Sequence, residues 1–319
     1  MGIKIREVVM AGEYAIVLHY SLLIMGASIW VCGEVLVDLL PTGSVIGGGP
    51  ANTAKALARL GCAVEFIDGI STDEFGVRAR RELIKDGVGL SLSRSSDKPT
   101  GKSIISIDAH GVGSYKFDIE NSATFDFDAS WLPKGAPEIL HIGTLATIIE
   151  PGASAIFKWA KGLTDKTVIV FDPNVRPPAL PDAKKYRSEV EKWVGISTVV
   201  KVSEADIAWL YPATSEEDVA REWLDLGAKL VVITRGADGL VGITKSDLIA
   251  LPGIAVHVID TVGAGDTVGA VIVEGIAKYG VAGLVGEVLK DVLDRAARAA
   301  AITCTRKGAE PPTNDEIES

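Results

Sequence analysis

Cysteine, aromatic side chains and long apolar runs are what this chain has least of. Three cysteines, Cys32, Cys62 and Cys304, stand far apart in 319 residues with no CxxC pair. That set argues against a disulfide framework or a thiolate metal cluster, which stay minor alternatives, and it reads as free buried thiols in the reducing cytoplasm. A run of eighteen apolar residues occurs nowhere, so no transmembrane helix is expected. Positive charge is also short: 32 Lys and Arg face 42 Asp and Glu, for a net charge of −10. Such a balance argues against nucleic acid or an anionic membrane as partner, although backbone amides can still hold a phosphate locally. There is no GxxxxGK[ST] loop of the Walker type. A dinucleotide fingerprint is matched badly, because Gly263 and Gly265 are followed by Gly269, one residue late.

What is present is an apolar fraction of 47%, enough for one large α/β core or two small ones. Residues 1–24 stand apart from it. Tyr14 to Met25 is apolar but broken by His19, Tyr20 and Ser21, and Lys4 and Arg6 precede it in the manner of a signal peptide. The preferred reading is an extension outside the fold, with Met25 just ahead of the first strand and a folded domain over residues 25–319.

Strand and helix patterns then alternate, as in a parallel sheet covered on both faces. Ser28–Gly33, Ala63–Ile70, Thr167–Asp172, Thr198–Ser203 and Lys229–Thr234 are short β-branched runs that read as strands. Helices are predicted over Pro50–Leu60, Glu74–Asp86, Glu216–Leu226, Gly265–Tyr279 and Val285–Thr303, several stopped by a following glycine. Two stretches, about 35–46 and 100–120, alternate apolar and polar residues instead. They read as half-exposed hairpin strands, with Gly111-Val112-Gly113 as a turn, forming a small β lid on the main sheet.

The segment Val258-Ile259-Asp260-Thr261-Val262-Gly263-Ala264-Gly265-Asp266-Thr267 carries the most chemistry. It reads as a β-branched run, a loop of small residues and an acid at the mouth of a helix. Gly263, Ala264 and Gly265 let backbone N–H groups of residues 262–266 approach an anion, and the helix adds its positive dipole end. A carboxylate there repels phosphate. Asp266 therefore reads as a base that takes the proton of a hydroxyl about to attack phosphorus; the alternative is an N-cap.

That arrangement resembles the C-terminal signature of the ribokinase-like (PfkB) carbohydrate kinases. Gly47-Gly48-Gly49-Pro50-Ala51-Asn52 resembles the family's N-terminal Gly-Gly motif, and matching segments run from about Ser28 to the C-terminus. The resemblance implies a three-layer α/β sandwich with a mostly parallel central sheet and a small β lid over the sugar. It implies ATP and Mg²⁺ as cofactors, with K⁺ in many relatives, and a small sugar as substrate. On this likeness Asp38, Gly47, Gly48 and Asn52 are sugar-side residues; for Asp38 the bland alternative is a solvated loop acid.

Asp172-Pro173-Asn174-Val175-Arg176 resembles the DPNxR segment of fructokinases and 2-keto-3-deoxygluconate kinases. It implies Asn174 near the phosphates or a metal and Arg176 near the substrate. Lys201-Val202-Ser203-Glu204-Ala205-Asp206 occupies the family's NxxE position, with Ser203 and Asp206 standing for Asn and Glu. Asp206 is one methylene shorter than Glu and would reach Mg²⁺ through water; a helix cap is the alternative. Thr234-Arg235-Gly236-Ala237-Asp238-Gly239 resembles the TxGxxG nucleotide loop, so Lys201, Ser203, Thr234, Gly236 and Gly239 are nucleotide-side candidates. Asp260, with Thr305-Arg306-Lys307-Gly308, matches the segments that hold a monovalent cation in relatives.

Many relatives carry an Arg four residues before the position of Ala123, where this chain has Ile119. An Arg there would meet a substrate carboxylate, so its loss favours a neutral sugar. The reading is a fructokinase. The alternatives are a 2-keto-3-deoxygluconate kinase, a ribokinase, a nucleoside kinase, or a catalytically silent sugar- or nucleotide-binding relative. An exposed lid face tends to be covered or paired, which predicts a homodimer through the lids.

Overall fold

The computed structural model describes residues 27–107 and 113–319. The expected extension over residues 1–24 and most of the Gly111-Val112-Gly113 turn lie outside the described residues. In chain order the strands are β1 (Ile29–Cys32), β2 (Leu36–Leu40), β3 (Gly43–Gly47), β4 (Val64–Ile67), β5 (Gly69–Ser71), β6 (Arg94–Ser96), β7 (Lys102–Ile107), β8 (Gly113–Asp118), β9 (Ile139–Gly143), β10 (Val168–Asp172), β11 (Val199–Ser203), β12 (Leu230–Thr234), β13 (Leu240–Ile243) and β14 (Leu248–Leu251). The helices are α1 (Gly49–Arg59), α2 (Glu74–Lys85), α3 (Gly152–Lys161), α4 (Ala183–Val194), α5 (Glu204–Leu210), α6 (Glu216–Leu226), α7 (Ala264–Gly283), α8 (Gly286–Cys304) and α9 (Asn314–Glu318).

Eight strands form the central sheet in the order β14-β13-β12-β11-β10-β9-β1-β4. The pairs from β4 to β12 are parallel, and β13 and β14 add an antiparallel edge. Burial on both faces explains the β-branched runs. In β12, Leu230 and Val232 enter one apolar cluster with α1, α7 and α8, while Val231 and Ile233 enter the other with α3 to α6. The three-layer architecture is therefore the one the sequence implied. Among the described residues no helix is long and apolar enough to cross a membrane.

A second sheet of four strands, in the order β3-β2-β7-β8, stands apart from the first. Its β2–β7 pair is parallel and its other two pairs are antiparallel. Its strands come from the same stretches, 35–46 and 100–120, that alternate apolar and polar residues. Both of its roots are tied to one buried side chain. Asp68 accepts hydrogen bonds from Val35 N–H at 2.8 Å and from the Thr124 hydroxyl at 3.1 Å. Asp73 caps α2 through Gly76 N–H and also accepts from Thr100 N–H at 2.8 Å, just before β7.

Four local readings change. Ala63–Ile70 is two strands, not one. The chain breaks at Asp68, whose carboxylate takes the Gly69 N–H, and β5 leaves to pair with β6 in a separate two-stranded sheet. The central strand β9, with His141 in its middle, and the antiparallel edge pair β13–β14 were not expected. α7 runs beyond Tyr279 to Gly283 but is broken at Gly280, which has φ 66° and ψ 162°.

Candidate active site

The carboxyl ends of β1, β9, β10, β11 and β12 point to one edge of the sheet, where open parallel sheets bind their ligands. Two adjoining cavities lie there, one of about 840 Å³ and one of about 460 Å³. Four residues line both of them: Asn174, Lys201, Thr261 and Gly265. The cavities therefore meet at the N-terminus of α7.

Gly263 is the N-cap of α7, with φ 81°. This left-handed backbone suits glycine, and a Cβ there would lie 2.6 Å from the Cβ of Ala309. Asp266 is the third residue of the helix and does not cap it, because Gly263 holds the N-cap position. Its carboxylate lines the smaller cavity and accepts a hydrogen bond from Asn52 Nδ2 at 2.8 Å. Burial pushes its pKa up to about 6, against the pull of Lys201, Asn52 and Arg176. The anion-binding turn is smaller than the sequence suggested. Val262 N–H already bonds Asp260, and Ala264 N–H bonds the Thr261 carbonyl at 3.3 Å. The N–H groups of Gly263, Gly265 and Asp266 remain, at the cap and in the first turn, where no carbonyl stands one turn back.

Asp38, Gly48, Asn52 and Arg176 all line the smaller cavity. Asp38 is held beside Ser103, and burial raises its pKa. Gly47 lines nothing itself. A Cβ on it would lie 2.4 Å from Asp38 Oδ2, so its missing side chain is what leaves room for that carboxylate. Arg176 Nη1 is bonded to the carbonyls of Asn174 and Val175, which folds the guanidinium over its own loop. Asn174 has φ 37°, a rare conformation for a non-glycine residue and one that clusters at functional sites.

On the larger cavity are Asn174, Lys201, Ser203, Thr234, Gly236 and Gly239, together with Ala264 and Gly265. Asp206 lines neither cavity. Its Oδ1 accepts Val175 N–H at 3.0 Å and its Oδ2 accepts Ser203 N–H at 3.2 Å, completing a capping box at the start of α5. It thus pins the Asn174–Arg176 segment to α5. Asp260 likewise spends both oxygens, on the N–H groups of Val262 and Gly308, and lines neither cavity. Among the described residues no group of three or more His, Cys, Asp or Glu is arranged around a metal.

Some residues at the site carried no assignment from sequence. Glu34 lines the smaller cavity at the end of β1, accepts Ala146 N–H at 3.1 Å, and has its pKa raised by burial to about 7. Its position directly after a strand end was the available signal. Asp172 forms a buried ion pair with Lys201 at 2.9 Å. Ile119 moves the other way. It is buried in a small apolar cluster with Leu36, Phe125 and Leu145 and does not line the smaller cavity.

Residues 37–316 match the model of the pfkB family of carbohydrate kinases. A fructokinase of Rhizobium leguminosarum bv. trifolii is 33% identical over 247 residues, covering 74% of this chain and 76% of the relative. A fructokinase of Escherichia coli is 29% identical over 306 residues, covering 92% of this chain and 99% of the relative. Among solved structures, the fructokinase of Vibrio cholerae O395 with fructose, ADP and calcium bound superposes with a TM-score of 0.82 at 26% identity, over 92% of this chain and 98% of that one.

Proposed function

The chain belongs to the pfkB family of carbohydrate kinases, and on that premise we propose that it is an ATP-dependent fructokinase with sugar in the smaller cavity and nucleotide in the larger. It is a fructokinase-like sugar kinase and hence a phosphotransferase with a sugar hydroxyl as acceptor. ATP as donor follows from the family and from the ADP in the Vibrio fructokinase. The observation that carries the reading is the position of Asp266, buried where the two cavities join and held by Asn52 rather than used as a cap.

In this reading Asp38, the Gly48 backbone and Arg176 orient the sugar, while Asn52 holds the base. Asp266 takes the proton of the attacking hydroxyl as its oxygen closes on the γ-phosphorus. The N–H groups of Gly263, Gly265 and Asp266 and the dipole of α7 meet the phosphoryl oxygens. The residues do not fit a directly ligated Mg²⁺: Asp206 has both oxygens engaged and would meet such an ion only through water. Mg²⁺ would supply charge neutralisation as its complex with ATP. Asp260 already ties its loop to Gly308, so a K⁺ ion there would add order to a turn that holds without it.

A neutral ketohexose suits the smaller cavity because three carboxyl groups line it, those of Glu34, Asp38 and Asp266. Of the two cations there, Lys201 is already paired with Asp172. The preference rests on this balance and not on Ile119. Coupled ADP-release assays over fructose, ribose, 2-keto-3-deoxygluconate and adenosine test it. Fructose is expected to lead 2-keto-3-deoxygluconate in kcat/KM by about tenfold or more, the scale of one charge-assisted hydrogen bond. A wild-type preference for the acid sugar would overturn the assignment.

The raised pKa of Asp266 predicts a pH dependence. The base works only when ionised, so kcat should fall as pH drops through about 6, by about tenfold per unit well below it. A kcat that stays flat down to pH 5 would remove Asp266 as the base.

We propose three further assignments. The separate four-stranded sheet acts as the sugar lid, since Asp38 on β2 and Ser103 on β7 line the smaller cavity. Its outer face pairs with a second copy, so light scattering should give twice the monomer mass, and a monomer at high concentration would contradict it. The free thiols of Cys32, Cys62 and Cys304 support a cytoplasmic location.

A further inference from the structure

We infer that Lys201 is a catalytic residue, the buried cation that follows the phosphoryl group from nucleotide to sugar, and that Asp172 is the residue that positions it. The inference rests on the reading of Asp266 as the base and deepens it. Lys201 lies in β11, 3% exposed, between the sheet and the start of α7. Its Nζ is held by Asp172 Oδ2 at 2.9 Å. A Cβ placed on Gly265 would lie 2.9 Å from the same Nζ, so the ammonium presses against the anion-binding turn at the one position where a glycine admits it. Lys201 is also one of the four residues shared by the two cavities.

A buried Lys–Asp pair costs desolvation that an apolar pair would not. A purely structural role gives no reason for one at this spot. A transferring phosphoryl group does, because its developing charge must be met where water is excluded. Asp172 and Asp266 beside it outweigh burial and raise the pKa of Lys201, so it stays charged. His141, on β9, is held neutral by burial, with its pKa lowered to about 4, and supplies no competing cation. An ammonium has three donors. One is on Asp172, and two remain for oxygens of the γ-phosphoryl group. As the sugar oxygen loses its proton to Asp266 and forms the new O–P bond, the bond from the γ-phosphorus to ADP breaks and ADP departs with that electron pair. Lys201 stays protonated throughout. A point charge on a flexible stem can keep contact over that path, whereas a guanidinium would not fit against Gly265.

The test compares wild type, Lys201→Met and the double variant Asp172→Leu/Lys201→Met. It reads kcat, KM for each substrate, melting temperature, and the affinity of ADP–aluminium fluoride in the presence of fructose. Lys201→Met should lower kcat about 10²- to 10³-fold, the range for removing one preorganised transition-state donor. KM for fructose should stay within about threefold, and the tight binding of aluminium fluoride should be lost. The double variant should regain the melting temperature but not kcat. A double variant with kcat restored, or a single variant within about fivefold of wild type, would overturn the inference while leaving Asp266 untouched. Wild-type protein with no turnover on any sugar would strike the reading of Asp266 itself, and this inference with it.

Discussion

Replacing Asp266 with asparagine is expected to lower kcat by about 10²- to 10⁴-fold, the usual cost of losing a general base. Sugar and nucleotide should bind within about threefold of wild type. The substitution is isosteric, and Asn52 Nδ2, now 2.8 Å from the carboxylate, can donate to the new amide oxygen instead. What disappears is the ability to accept a proton. The stability effect has a definite sign. The folded pKa of Asp266 is raised to about 6 from an ordinary 3.8. The group's favourable contribution is therefore complete below the unfolded value and is lost as pH rises through about 6. Above that pH the ionised carboxylate costs on the order of 3 kcal/mol, which the amide relieves. The variant should thus be inactive yet at least as stable as wild type at pH 7.5. Thermal unfolding and single-turnover kinetics on the same sample check both halves. A variant that keeps more than half of wild-type turnover would remove the base.

The second large effect belongs to Asp38. Asp38→Ala should lower kcat/KM for fructose by about 10²- to 10⁴-fold, with the loss mainly in sugar KM. A carboxylate accepting from two sugar hydroxyls makes two charge-assisted hydrogen bonds, each worth about 1.5–3 kcal/mol. The structure gives that carboxylate a prepared seat: Ser103 beside it, and the missing side chain of Gly47 in front of it. KM for ATP should hardly move, because Asp38 lines the smaller cavity and not the larger. Steady-state kinetics with each substrate varied in turn decides it. A sugar KM within threefold of wild type would mean that Asp38 faces solvent in the working complex.

These residues were legible because their signals are local. Gly263-Ala264-Gly265-Asp266 and Gly47–Asn52 announce a loop at a strand or helix end through residue type alone. Asn174 and Arg176 follow a strand end, where ligands collect. Other features depend on what is distant in sequence. Whether Asp206 faces a cavity or caps α5 is decided by Val175, thirty-one residues away. The burial of Ile119 is set by Leu36 and Leu145, which are distant in sequence. β9 escaped notice because a histidine interrupts a five-residue apolar run, and nothing local says that both sheet faces will cover it. β13 and β14 depend on pairing with each other and with β12. The size of the anion-binding turn depended on which N–H groups find partners nearby, a question of geometry that composition does not answer.

The most direct measurement of the central claim is phosphorus NMR on the purified wild-type protein mixed with ATP, Mg²⁺ and fructose. The account predicts a sugar phosphate ester and ADP appearing together, one for one, with no free phosphate. ATP that stays intact beside fructose, or that yields only inorganic phosphate, would contradict it.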